Sequence, residues 1–294
     1  MATVLLVGCG DIGTRLGLQL SLAGHHCIGL KRHLNQLPAP IQGLQADVTD
    51  PASLDDLPEH DYLVYSLVPS EYSAAGYQRA YVDGLTNLLA AIAQQQLCPK
   101  RLFFISSSAI YHQRDGAWVD ELSDTLPTSF SGQAMQQAEA ILNDSVLAGT
   151  AVRLSGIYGP GRERLFNWVR QGVGASDEST HYGNRIHIDD CVGVLQFLLE
   201  KDLRGEPLAD CYLASDPHPA SYHEVLEWLR QQMDLPKPEQ YQDFNLKIRS
   251  GSKRCRPQRL LDAGYQFHHQ DYRSGYRSML KAMLADPVAV QPDE

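Results

Sequence analysis

Gly8-Cys9-Gly10-Asp11-Ile12-Gly13 follows the apolar run Val4-Leu5-Leu6-Val7 and opens a segment whose apolar residues recur at helical spacing. A Gly-x-Gly-x-x-Gly in that place commits a chain to a strand, a tight turn and a helix packed close on the strand. Gly8 permits the turn, Gly10 lets backbone approach a pyrophosphate, and Gly13 lets helix and strand close together. The helix start, at Asp11 and Ile12, adds amide donors and the positive end of the helix dipole. The motif therefore predicts a dinucleotide site at the amino-terminal end.

The rest of the first half keeps the same alternation. Short apolar runs at residues 3–7, 26–30, 43–46, 62–66, 101–106 and 150–154 read as strands, and residues 12–23, 77–95 and 134–146 read as helices between them. Strand-helix-strand units of this kind build a parallel sheet covered on both faces, so residues 1–158 are expected to form an α/β, Rossmann-type doubly wound domain. Beyond Tyr158 the alternation fades. Residues 164–170, 190–200, 223–233 and 272–284 look helical, with only short apolar runs at 186–188 and 211–214 between them. Residues 159–294 are expected to form a smaller mixed α/β substrate-binding region, interleaved with the first domain. The segment 172–183 reads as a mobile loop and 287–294 as a frayed tail.

Composition narrows the partners. Thirty-five acidic residues against 25 Lys plus Arg give a net charge of -10 with no dense basic block, which argues against nucleic acid. No apolar stretch approaches the roughly 20 residues that span a bilayer, and Met1 to Gly10 has neither a basic start nor a cleavage site. A cytoplasmic, unprocessed protein without a membrane partner is expected. Six cysteines lie far apart with no Cys-x-x-Cys pair, which predicts free thiols in a reducing compartment and no metal site.

Specificity for the adenosine ribose is set at the end of the second strand, where an acid bonds both hydroxyls of NAD and basic groups bond a 2′-phosphate. That strand ends Gly29-Leu30-Lys31-Arg32-His33, with two cations and no acid. Arg forms a fork of charge-assisted bonds to phosphate, so NADP is the predicted cofactor, with NAD as the alternative. Asp47, after the third strand, is placed either to accept from the adenine amino group or to cap the helix starting near Pro51.

In mid-chain, Ser106-Ser107-Ser108-Ala109-Ile110-Tyr111 puts hydroxyls at the C-terminal end of a buried strand, where open parallel sheets bind ligands. This run, the glycine motif, Gly84-Leu85-Thr86-Asn87-Leu88-Leu89, Gly156 to Arg162 and Asn184 to Asp190 resemble the extended short-chain dehydrogenase/reductase family, the nucleotide-sugar epimerases and dehydratases. Lys253-Arg254 through Gly264-Tyr265 extends the resemblance over nearly the whole chain. It implies a nicotinamide cofactor in the first domain and a sugar nucleotide, or another polar small molecule, as substrate. It further implies that Leu67 lines the cofactor groove and that Ser107, with Ser108 as an alternative, positions the reacting hydroxyl. Arg162 and Arg185 would meet substrate phosphates, although Arg162 has a second reading as a brace for the turn at Tyr158 to Gly161. Family dimers pair through the helices at 77–95 and 134–146, so a homodimer is implied.

The resemblance breaks at its chemistry. The family pattern is Tyr-Gly-x-Ser-Lys with Glu four residues on, the lysine lowering the tyrosine pKa so that a phenolate takes the substrate proton as hydride moves. Here Ser131-Gly132-Gln133-Ala134-Met135 precedes Glu139, so Ser131 stands at the tyrosine position and Met135 at the lysine position. None of the 14 tyrosines is followed four residues on by lysine, and no lysine occurs from Arg101 to Glu200. A shift of register therefore does not restore the pair. Tyr111, His112, Asp120 and Glu121 are the surrogate acid/base candidates, set against plain capping or packing roles. His268 and His269 read as a surface pair, because adjacent side chains point different ways. Cys9 reads as a small tolerated side chain in the phosphate loop. Two functions stay open: a sugar-nucleotide epimerase, dehydratase or reductase with a displaced acid/base, and a catalytically inert NADP(H)-binding sensor or scaffold.

Overall fold

The computed structural model describes residues 1–174, 181–238, 242–243 and 252–285. Its largest feature is a seven-stranded, all-parallel sheet in the order Cys211–Ala214, Gly149–Leu154, Arg101–Ser107, Tyr62–Tyr65, Thr3–Val7, His26–Lys31, Ile41–Gln45. Six of these strands lie where the apolar runs place them. Tyr62–Tyr65 is buried along its whole length and Val4 to Val7 likewise, as helices on both faces require. Thr3–Val7 has His26–Lys31 on one side and Tyr62–Tyr65 on the other, with Val4 opposite both Cys27 and Tyr62. The strand order reverses there, and in doubly wound sheets that reversal opens a crevice beyond the strand ends.

The described residues form two compact units. The first contains Met1–His112, Glu121–Leu154 and Cys191–Ala214; the second contains Gln113–Asp120, Ser155–Asp190 and the described residues from Ser215 onward. In the first unit the helices Asp11–Leu22 and Phe130–Asp144 begin a little before the periodicity suggests. The run expected at 77–95 starts at Ala74 and carries a π-helical segment, Gln78–Asp83, before continuing as Gly84–Gln94. Tyr65 explains the wider turn. Its hydroxyl donates to the Ala80 carbonyl at 2.5 Å, and a Cβ at Gly84 would lie 2.6 Å from the same oxygen. A side chain inserted into the helical ladder is a standard cause of such a bulge.

The second unit has its own core of Tyr158, Phe166, Val225, Leu229, Tyr272 and Tyr276. Short strand pairs surround it. Gly156–Tyr158 runs parallel to Arg185–His187, Ala117–Val119 runs parallel to Lys253–Cys255, and Tyr182–Gly183 pairs antiparallel with Ala220–Ser221. The segment expected as a loop at 172–183 is strand-paired at both ends, through Val173–Gly174 and Tyr182–Gly183; residues 175–180 and the expected tail at 287–294 lie outside the described residues. No helix among the described residues is long and apolar enough to cross a membrane. All six cysteines are free.

Candidate functional site

In the first unit a cleft of about 300 Å³ is lined by Gly8, Gly10, Lys31, Arg32, Asp47 and Leu67 among others. The glycines shape it. Gly8 has φ +94°, and a Cβ there would lie 2.8 Å from Leu67 Cδ2. A Cβ at Gly13 would lie 2.3 Å from the Gly8 carbonyl oxygen, so only glycine lets the helix approach this closely. A Cβ at Gly10 meets nothing within 4 Å. Gly10 also starts the Asp11–Leu22 helix with no side-chain cap, which keeps the amide end of the helix dipole, at Asp11 and Ile12, uncovered by protein side chains. This bare, cationic cradle fits a pyrophosphate.

Around the cradle, Lys31 and Arg32 make no ion pair or side-chain hydrogen bond among the described residues. Asp47 Oδ1 accepts from Thr49 N at 2.9 Å and from Thr49 Oγ1 at 2.8 Å. Asp47 does not cap the following turn. Asp50 does, accepting from Ala52 N at 3.2 Å, because it directly precedes Pro51. Ser66, which sequence reasoning missed, donates to the Gly8 carbonyl and ties the fourth strand to the glycine turn; its only signal was its place one residue past a buried strand. Burial pushes the Cys9 thiol up to about 12, so it stays protonated and unreactive.

The hydroxyls at the end of Arg101–Ser107 have different fates. Ser106 donates to Glu139 Oε1 at 2.6 Å. Arg153 grips the same carboxylate, Nη2 to Oε2 at 2.6 Å and Nε to Oε1 at 2.9 Å, and donates from Nη1 to the Tyr111 hydroxyl at 2.9 Å. Tyr111 is 2% exposed, and this buried network fixes its ring. Ser107 is half-buried and accepts from Ala109 N at 3.1 Å, leaving its hydroxyl proton to donate elsewhere; Ser108 is buried. Ser131 and Met135 sit buried on the Phe130–Asp144 helix, Ser131 Oγ 3.2 Å from the capping Ser129 Oγ and Met135 in the hydrophobic core. Glu121 accepts from Leu213 N at 2.8 Å and His112 from Leu126 N at 3.3 Å, both structural roles.

In the second unit a cleft of about 760 Å³ brings Arg162, Arg164 and Arg185 together with Trp168, Tyr222 and Tyr276. The backbone of Arg162 closes the turn, its N–H donating to Gly159 O at 3.0 Å, while its side chain lines the cleft. Arg185 is 4% exposed, and among the described residues its guanidinium makes no ion pair or hydrogen bond, with Nη1 buried and without a partner. It stands 5.9 Å from the Tyr222 ring and 5.7 Å from the Tyr272 ring. Its carbonyl is clamped by the Asp216 amide at 2.7 Å. The Asp216 carboxylate is buried, and burial pushes this carboxyl up to about 8 against the opposing pull of Arg185 and of the His218 amide.

Comparisons with known proteins agree with this anatomy. The model of the NAD dependent epimerase/dehydratase family matches residues 4–209. A candidate NAD-dependent epimerase/dehydratase from Methylobacillus flagellatus is 34% identical, covering 96% of this chain and 99% of that one with a TM-score of 0.80. The fold is also shared with the Bordetella bronchiseptica enzyme WbmG, solved with NAD and UDP (17% identity, 99% of each chain, TM-score 0.80). It recurs in a Thermotoga maritima UDP-glucose 4-epimerase solved with UDP-glucose (15% identity, 95% of this chain and 99% of that one, TM-score 0.74). No curated protein matches the sequence. With its glycine cradle, its parallel sheet and a family match over more than half its length, the chain belongs to the NAD dependent epimerase/dehydratase family.

Proposed function

We propose that this protein binds NADP(H) in the first unit and a nucleoside-diphosphate sugar in the second, and transforms the sugar. Arg185 carries this reading. A buried guanidinium without countercharge costs several kcal/mol, and a diphosphate supplies both the charge and a bidentate acceptor. Arg162 and Arg164 add positive charge to the same cleft, and Trp168 lines it with the Arg164 guanidinium over its ring. WbmG with UDP and the Thermotoga enzyme with UDP-glucose support this substrate class. Lys31 and Arg32, which form no ion pair among the described residues, support NADP over NAD.

When bound, the nicotinamide supplies hydride transfer. The chain's own part is to hold and orient. Gly8, Gly10 and Gly13 bind the pyrophosphate, Leu67 packs against the dinucleotide, and Ser107 keeps a hydroxyl proton to donate. Ser131 and Met135 offer no tuned acid, so proton transfer falls to a displaced group. A second reading, binding without turnover, is favoured by those same two residues. Tag-free protein would be titrated with NADPH, NADH and UDP by calorimetry, then incubated with NADP and a panel of UDP-sugars while absorbance at about 340 nm and the sugar products are followed. Tight NADPH binding, UDP binding and product formation are expected. Binding of both ligands with no product establishes the sensor reading, and absence of heat with UDP overturns the substrate class.

A further inference from the structure

His187, Asp189 and His269 bring two imidazoles and a carboxylate together in the second unit, and none of them lines either cleft described above. His187 ends the Arg185–His187 strand and is 2% exposed. Asp189 lies in the first turn of the Ile188–Leu203 helix. His269 comes from a loop far along the chain, and the fully buried Asp190 sets its position. Asp190 accepts from the amides of His268 at 2.7 Å and His269 at 2.9 Å, and from the Tyr265 hydroxyl at 3.0 Å. The adjacent histidines therefore split: His268 is exposed, and His269 turns in until its ring centroid lies 4.0 Å from that of His187.

The distances favour a shared cation. Asp189 Oδ2 is 3.4 Å from His187 Nδ1 and 3.9 Å from His269 Nε2, and one donor atom from each residue falls within 4.8 Å of the others. The Asp189 amide donates to His187 Nδ1 at 3.3 Å, a long contact that leaves this nitrogen an acceptor beside the carboxylate. A tetrahedral ion with bonds of about 2.0–2.1 Å sets its ligand atoms about 3.3–3.4 Å apart, the separation of the Asp189–His187 pair and about half an ångström less than that of the Asp189–His269 pair. One proton satisfies a single pair, whereas three donors converge. Asp189 is 54% exposed, which gives an ion a path from solvent and room for a water ligand.

We propose that His187, Asp189 and His269 form a site for one divalent transition-metal ion of the zinc class. Imidazole nitrogens exclude magnesium and calcium as preferred occupants. The ion pins the start of the Ile188–Leu203 helix to the 268–269 loop, and Asp190 acts as the positioning residue that presents His269. The test uses full-length, tag-free protein stripped with a chelator and titrated with Co²⁺ as a spectroscopic substitute, followed by competition with Zn²⁺. One Co²⁺ per chain with a visible d–d band, displaced by Zn²⁺, is expected. His269→Ala should weaken binding about 100-fold or more and Asp189→Asn about 10-fold, while His268→Ala binds as wild type. Uptake of no metal, or equal affinity after His269→Ala, overturns the site and leaves a proton-sharing pair. If His269→Ala does not fold, Asp189→Asn, whose half-exposed side chain supports no core packing, decides alone: unchanged affinity overturns the proposal.

Discussion

Arg153 and Arg185 are both buried, at 7% and 4% exposure, yet the regions around them have solved different problems. In the first unit every donor face of Arg153 finds protein: Glu139 on two sides and the Tyr111 hydroxyl on a third. That network couples the Arg101–Ser107 strand, the Phe130–Asp144 helix and the Gly149–Leu154 strand. In the second unit Arg185 is equally buried, but its neighbours are two aromatic faces and an Asp216 carboxyl whose pKa burial raises to about 8. Burying a charge is costly either way. Where the countercharge is built in, the charge serves the fold; where it is withheld, the fold carries the cost, and in the proposed function a ligand supplies the partner.

The largest expected effect breaks the satisfied side. Arg153→Met leaves the Glu139 carboxylate buried without its cation and should lower stability by about 3–5 kcal/mol in chemical denaturation. A loss below about 1 kcal/mol would mean that the network is ornamental. Next in size is the cofactor end of the first unit. Replacing Lys31 and Arg32 together by Ala should weaken NADPH binding about 10-fold in calorimetry and leave NADH unchanged, since only the 2′-phosphate meets them. Equal losses for both dinucleotides would remove the NADP preference.

The smallest effect sharpens the unsatisfied side through pH. The Asp216 carboxyl is raised from 3.8 to about 8, chiefly by burial. Between those values the folded protein keeps a proton that the unfolded chain releases, so stability falls as pH rises through this window and levels off above it. Asp216→Asn should flatten that decline and raise the melting temperature at pH 9 by a few degrees. In the wild type, UDP affinity should also drop above pH 8, as the ionised carboxylate competes for Arg185; in Asp216→Asn it should not. Asp271 and Asp190 also face this group and both raise its pKa, so a melting curve with the same pH slope in the variant would assign the titration to them.

Legibility followed the range of the interactions. The glycine turn, six strands of the sheet and the Arg164–Arg170 helix are written in local pattern, because apolar period and turn chemistry act over a few residues. The strand Cys211–Ala214 was legible as a short apolar run but not as the edge of the large sheet, since pairing with Gly149–Leu154 is a long-range choice. Arg185 was reached through family resemblance, and its lack of a partner through the structure alone. Ser66, which braces Gly8, and His269, which meets His187, were invisible for the same reason: each acts through a partner that only the fold brings near.

Arg185→Met keeps the bulk of the side chain and removes its charge, so a UDP titration of this variant, run beside its thermal melt, tests the account most directly. The account predicts a loss of UDP affinity of about 100-fold with a melting temperature equal to or above that of the wild type. Unchanged UDP affinity, or a melting temperature that collapses as for Arg153→Met, would contradict it.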